Sequence, residues 1–118
     1  MMRCDVENIR TVIEYCERIE ETVEGLSEDD FFDNYMIHSS CAFSIFQIGE
    51  AVRRLSIGFS QQHQEINWNE LAKIGDILAH RFGDVDLRIV WSVSFELVPD
   101  LKRSCISIIE KDGVEPIE

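Results

Sequence analysis

Apolar residues recur at three- and four-residue steps along most of the chain, which is the spacing of amphipathic helices. The first stripe covers residues 6–23, and Gly25 follows it as a typical C-terminal cap. Ser27 and Asp30 resemble a capping box and predict a short second helix that carries two phenylalanines. The N-terminal quarter of the chain is therefore predicted to be one long helix and one short helix.

The middle of the chain predicts two further helices. Residues 37–57 are apolar on more than one side, so they predict the most buried helix, and residues 58–66 are predicted to be a polar connection. Asn67 and Glu70 form another capping-box pattern, which opens the helix that carries His80.

The last stripe completes an all-α fold. Gly83 is predicted to break the preceding helix and Asp86 to cap the last one. The stripe continues past Pro99, so we expect the proline to remove a backbone hydrogen bond and kink this helix without ending it. The acidic tail, residues 113–118, is expected to fray. These patterns predict an antiparallel up-and-down four-helix bundle with a short extra helix, in one domain over residues 1–118.

Composition and charge narrow the classes of partner. The formal net charge of -12 weighs against general affinity for nucleic acid, DNA included, because binding phosphates needs clustered Lys and Arg. It leaves room for a small local basic cleft. No secretory segment or membrane-length apolar run is recognisable, so we expect a cytoplasmic protein with no membrane partner. The four scattered cysteines predict reduced thiols, and neither a metal site nor a cofactor is expected.

The most informative stretch is residues 68–86, a helix that delivers His80 to its own C-terminal end. An imidazole titrates near neutrality, so His80 could act as base or acid when a ribose 2′-hydroxyl attacks a phosphate. Asp76 lies one turn earlier on the same face and could orient the imidazole. The same spacing fits an ordinary surface pair near a helix end, and spacing alone favours this second interpretation.

Several short motifs along nearly the whole chain are specific when taken together. They are Gly25-Leu26-Ser27, Ile48-Gly49-Glu50-Ala51, Arg54-Leu55-Ser56, Glu65-Ile66-Asn67-Trp68, Gly83-Asp84-Val85-Asp86 and Ile89-Val90-Trp91. In this order they resemble the HepT-like proteins of the HEPN superfamily, also described as substrate-binding subunits of minimal nucleotidyltransferases. The resemblance implies a helical bundle that forms a homodimer, with the motif helices lining a cleft at the dimer interface.

The resemblance also implies an activity and a partner. The implied activity is metal-independent cleavage of RNA by the toxin of a toxin–antitoxin pair. The implied partner is a minimal nucleotidyltransferase antitoxin, which silences the toxin by transferring AMP to a motif tyrosine.

The family signature is an arginine, a polar residue, a few variable residues, a histidine, any residue and a tyrosine. His80 matches the histidine and Asp76 the polar position, whereas Gly75 stands in place of the arginine and Phe82 in place of the tyrosine. Gly75 cannot replace a guanidinium, and Phe82 keeps the ring but cannot accept AMP. The resemblance therefore implies catalytic roles for His80 and Asp76 in a site that lacks two side chains.

Four basic residues could supply the missing cation from other backbone positions. They are Arg81, Lys73, Arg53 and Arg54. Arg81 is nearest to His80 in sequence, but a neighbouring residue points to a different helical face. Gly49-Glu50 predicts close packing, and Glu50 could bind an arginine across the bundle. Gly75 in mid-helix indicates either close backbone packing or decay of the site.

These observations favour two functions of different classes over a third, a free-standing helical dimer with a scaffolding role, for which the sequence gives no positive sign. The first is an RNA-cleaving toxin of the HepT type with a weakened or rearranged site. The second is a catalytically inactive member of the fold that binds a nucleotidyltransferase partner. Gly75, Phe82 and the net charge favour the second, and the resemblance favours the first.

Overall fold

The computed structural model of the protein describes residues 3–80 and 86–112, and every regular element in these ranges is helical. The elements are α1 (Arg3–Val23), α2 (Glu28–Asp33), α3 (Tyr35–Arg53), α4 (Ile57–Gln62), α5 (Trp68–His80), α6 (Leu87–Ser92), a π-helical turn (Val93–Leu97) and α7 (Val98–Asp112). The predicted all-α class is confirmed for this part of the chain. The predictions for Gly83 and for the tail, residues 113–118, lie outside the described residues.

The end of α1 and the start of α2 follow the local sequence signals. Gly25 has a φ of 76°, in the left-handed region that glycine adopts without a steric penalty. The Ser27 side chain accepts a hydrogen bond from the Asp30 N–H, and the Asp30 carboxylate accepts one from the Ser27 N–H. The predicted capping box is therefore confirmed.

The break after α3 corrects the predicted second long helix. α3 ends at Arg53, four residues before the predicted end at residue 57. The first part of the predicted polar connection, residues 58–62, is helical and belongs to α4, in which Phe59 is buried. Ser56 explains the new start: its backbone is extended, and its hydroxyl accepts a hydrogen bond from the Phe59 N–H at 3.2 Å. The apolar spacing continues through this break, so periodicity alone could not reveal it.

A buried carboxylate holds the start of α4 against α1. Asp5 is 1% exposed and accepts hydrogen bonds of 2.8 Å from both the N–H and the hydroxyl of Ser56. Asp5→Ala is therefore expected to lower the free energy of unfolding by about 2 kcal/mol, because two charge-assisted hydrogen bonds are lost and their part-buried donors on Ser56 are left without this acceptor. Urea denaturation of the purified variant measures this difference.

Glu7→Ala is the matched control for Asp5→Ala. Glu7 lies on the same helix, and its ion pair with Arg3 is exposed. Its replacement is expected to change stability by less than about 0.5 kcal/mol. Equal effects of the two substitutions would contradict a structural role for the Asp5 carboxylate.

The C-terminal helix remains helical through Pro99. Asp86 caps α6 by accepting a hydrogen bond from the Arg88 N–H at 3.0 Å, and this bond lowers the pKa of the Asp86 carboxyl. A π-helical turn precedes the proline, and in it the Val98 N–H donates to the Val93 carbonyl five residues earlier. A π-helical turn thus interrupts the α-helical pattern before Pro99, and the predicted kink stays a prediction.

The long helices pack around a shared core, and each contacts particular neighbours. α3 packs against both α1 and α5, and α1 also packs against α7. Cys16, Cys41 and Cys105 are buried free thiols in this core, as predicted, and burial raises the pKa of Cys105 to about 12. None of the described helices is long and apolar enough to cross a membrane. The packing leaves α5 supported mainly by α3.

Candidate functional site

Two glycines let α3 and α5 approach each other closely. A Cβ atom on Gly49 would lie 3.0 Å from the Gly75 Cα atom and 3.3 Å from the Leu71 carbonyl oxygen. A Cβ atom on Gly75 would lie 3.1 Å from the Gly49 Cα atom. At position 75, where the family has an arginine, even the first atom of a side chain would therefore be in tight contact with the neighbouring backbone. Of the two interpretations of Gly75, the structure supports close backbone packing.

Gly49→Ala is expected to lower the free energy of unfolding by about 1–2 kcal/mol. Overpacking typically costs about 1–3 kcal/mol, and the better helix propensity of alanine offsets up to about 1 kcal/mol of that. The Cβ atom would meet backbone rather than the end of a flexible side chain, so α5 would have to give by a few tenths of an ångström. Thermal or urea denaturation provides the measurement.

Gly58→Ala provides the control, because a Cβ atom on Gly58 meets nothing within 4 Å and this glycine also lies in a helix. Its stability is expected to be unchanged or raised by up to about 1 kcal/mol. If both alanines change stability in the same direction, the close contact between α3 and α5 is wrong.

An ion pair lies beside this crossing. Nη2 of Arg53, one turn after Gly49 on α3, pairs with Oδ1 of Asp76 on α5. Oε2 of Glu50 lies 3.5 Å from Nε of the same guanidinium. The arginine that Glu50 faces in the described residues lies three residues along its own helix, and its predicted pairing across the bundle stays a prediction. The crossing thus brings a guanidinium from α3 to the surface of α5.

The guanidinium of Arg53 is oriented yet open to solvent. The Arg53 and Asp76 side chains are 42% and 47% exposed, so their pair adds at most about 1 kcal/mol to stability. Its larger effect is geometric, because two carboxylates face Nη2 and Nε of one planar group. Nη1 carries two further N–H donors. A phosphate oxygen is the kind of acceptor that such a fork recognises.

The other two described basic candidates lie nearby in sequence but have different surroundings. Lys73 is exposed on α5, three residues before Asp76 and therefore on a neighbouring part of the same face. Arg54 is exposed and follows the last residue of α3. The structure therefore brings Arg53 to Asp76, and it leaves Lys73 and Arg54 as surface cations.

The motif histidine ends α5, one helical turn after Asp76. The His80 side chain lies outside the described part of the structure, as do the whole of Arg81 and Phe82. The predicted contact between Asp76 and His80 stays a prediction. The recorded partner of the Asp76 carboxylate is Arg53, a pairing between helices that spacing along α5 could not reveal.

Comparison with known proteins identifies relatives along most of the chain. A family model described as "Ribonuclease HepT-like" matches residues 12–108. A Methanocaldococcus jannaschii protein, named as a gamma-glutamylcyclotransferase and candidate RNase, is 34% identical over 111 residues. That alignment covers 93% of this chain, which spans only 50% of the relative's length.

Two further relatives are similar in length to this chain. A candidate RNase of Caldanaerobacter subterraneus subsp. tengcongensis is 31% identical over 101 residues, covering 86% of this chain and 90% of the relative. A Thermococcus cleftensis protein named probable ribonuclease HepT is 31% identical over 96 residues, covering 75% of this chain and 87% of the relative. No solved structure matches the chain.

Proposed function

Because the chain belongs to the ribonuclease HepT-like family, we propose that it is an endoribonuclease whose active site lies at the C-terminal end of α5. The observation that carries the proposal is the Arg53–Asp76 pair, which brings a guanidinium to α5 one helical turn before His80. This pair favours an active site whose cation comes from a different helix over an active site that has lost its cation.

The proposed reaction needs one proton acceptor and one proton donor. The ribose 2′-oxygen gives up its proton and bonds to the adjacent phosphorus, and the 5′-oxygen leaves and takes up a proton. The products carry a 2′,3′-cyclic phosphate and a 5′-hydroxyl. His80 acts as base or as acid in this sequence, since imidazole exchanges protons near neutral pH.

Arg53 supplies the positive charge that the family arginine supplies from the position of Gly75. Negative charge accumulates on the phosphoryl oxygens as the 2′-oxygen attacks, and a fixed guanidinium stabilises that charge more than it stabilises the substrate. Asp76 is a positioning residue in this scheme, because it holds the Arg53 guanidinium against α5. Lys73 and Arg54 add weaker attraction for the RNA backbone.

The assembly and partner are proposed in line with the family. We propose that the helices form an antiparallel four-helix bundle and that the protein works as a homodimer in the cytoplasm. Such a homodimer interface would cover exposed apolar side chains such as Phe43 on α3 and Ile77 on α5, which are 53% and 38% exposed. The proposed partner is a minimal nucleotidyltransferase antitoxin, and AMP transfer cannot take place at Phe82, which has no hydroxyl.

A binding module without catalytic activity is the second candidate. Two carboxylates already face the Arg53 guanidinium, and the net charge of -12 disfavours RNA. In this alternative α5 contributes only to the contact with the nucleotidyltransferase partner.

Incubation of the purified protein with RNA in the presence of EDTA tests the proposal. The expected result is endonucleolytic cleavage that leaves 2′,3′-cyclic phosphate ends, which end-specific enzymes identify. A preparation of His80→Ala, purified in parallel, measures contaminating nucleases. If the wild-type protein cleaves RNA no faster than the His80→Ala preparation, the proposed nuclease activity is wrong and the binding module is the remaining candidate.

A further inference from the structure

A groove lies on the side of α5 away from the Arg53–Asp76 pair. It has a volume of about 650 Å³ and separates α5 from the helical stretch 87–112. Ile74 of α5 lines it, and Asp76, two residues later, projects from α5 about 200° away. The groove is therefore distinct from the proposed catalytic surface.

The floor of the groove is apolar. Leu71 and Ile74 contribute to it from α5, and Val93, Leu97 and Leu101 contribute from the opposite wall. Ile89 is 38% exposed at its edge. Apolar side chains lining a groove between two helices are the typical receptor for the apolar face of a third helix.

Carboxylates lie on both walls of the groove. Glu65 and Glu70 lie on the α5 side, and Glu96 and Asp100 lie on the opposite side. Asp100 pairs with Arg103 of its own helix, but both side chains are 72% exposed, so this pair is weak and replaceable. Arg88 is the one basic residue among those that line the groove in the described part of the chain.

We propose that this groove binds a basic amphipathic helix of a partner protein. Its apolar face covers the floor, and lysines and arginines along both of its edges meet the two rows of carboxylates. The wall from Ile89 to Ser104 is about 22 Å long, which matches a helix of roughly four turns. This inference does not depend on the proposed RNA cleavage.

Charge decides against two other occupants. RNA would bring phosphates to a groove rimmed by carboxylates, which repel it. A second copy docked groove to groove would place the carboxylates of the two grooves opposite one another. A basic protein segment is the occupant that both the floor and the rims favour.

A designed peptide of about 16 residues tests the proposal on the full-length protein. The peptide carries apolar residues at i, i+3, i+4 and i+7 with lysines and arginines on both flanks, and fluorescence anisotropy measures its binding. We expect micromolar affinity, and binding weaker by about tenfold or more for an analogue with glutamates in place of the basic residues. Equal binding of the two peptides would overturn the charge argument.

Two sets of variants locate the binding site. Glu70→Lys with Glu96→Lys, and separately Ile89→Glu, are expected to weaken binding by about tenfold. Glu7→Lys with Glu14→Lys makes the same charge change on α1, away from the groove, and is expected to alter binding by less than about threefold. Circular dichroism checks that each variant is folded.

The outcomes separate the occupants. Equal loss in the groove variants and the α1 control would show non-specific attraction and overturn the proposal. Sedimentation of each variant without peptide detects a self-association through this face. If the groove variants change the oligomeric state and leave peptide binding unaltered, a second copy occupies the groove and the proposal is wrong.

Discussion

His80→Ala is expected to slow RNA cleavage by a factor of about 10²–10⁴, the range that a positioned general acid or base contributes. The imidazole is the group of the proposed site that exchanges protons near neutral pH, and alanine at the end of α5 offers no replacement. Single-turnover cleavage of a labelled RNA at saturating protein measures the change directly, because the binding of substrate no longer limits the rate.

His63→Gln separates a catalytic role from a general loss of histidine. His63 lies before the first turn of α5, at the opposite end of that helix from His80. Its backbone carbonyl, which accepts a hydrogen bond from Trp68 Nε1, is retained in the variant. Cleavage is expected to stay within about threefold of the wild type. Similar losses in both variants would remove His80 from the proposed reaction.

Arg53→Ala is expected to lower the rate of RNA cleavage by about 10²–10³, the typical effect of removing one preorganised donor to a developing negative charge. Stability is expected to change by at most about 1 kcal/mol, because the ion pair with Asp76 is half-exposed. Arg53→Lys keeps the charge but loses the planar fork, so an intermediate rate is expected. Cleavage kinetics and urea denaturation of the same preparations measure the two effects separately.

Arg18→Ala is the control for Arg53→Ala. Arg18 is an exposed arginine on α1, whereas Arg53 is on α3. Like Arg53, it forms an ion pair with a carboxylate, here that of Glu14 on the same helix. Its replacement makes the same change in net charge and is expected to alter cleavage by less than about threefold. If His80→Ala is inactive but Arg53→Ala cleaves RNA at the wild-type rate, the proposed nuclease activity stands and the proposed role of Arg53 is wrong. A loss of activity seen only in Arg54→Ala would assign the role of the cation to Arg54 instead.

The local features of the fold could be predicted because nearby residues determine them. The caps formed by Ser27 with Asp30, by Asn67 on the Glu70 N–H and by Asp86 each depend on groups within three residues. Residues 58–62 were predicted to be a connection although Ser56 caps α4 locally, because the polar residues after Gly58 give no apolar stripe of their own. The hydrogen bonds that hold Ser56 to Asp5 span 51 residues and leave no periodic signal in the sequence.

The candidate site was predictable as a set of residues and not as an arrangement. Arg53 and Asp76 were both identified, but their pairing requires α3 to cross α5 at Gly49 and Gly75. Nothing in one sequence links these two glycines, which lie in separate helices. Glu50 shows that a local partner is also easy to overlook, because it faces Arg53 three residues away on its own helix.

The close crossing of α3 and α5 also couples position 75 to the spacing of the two helices. A Cβ atom there would lie 3.1 Å from the Gly49 Cα atom, so any side chain requires the Gly49 backbone to give by a few tenths of an ångström. The side chains packed around the crossing would have to adjust with it. Introducing the family arginine at this position would therefore need the helix spacing and the surrounding packing to change together.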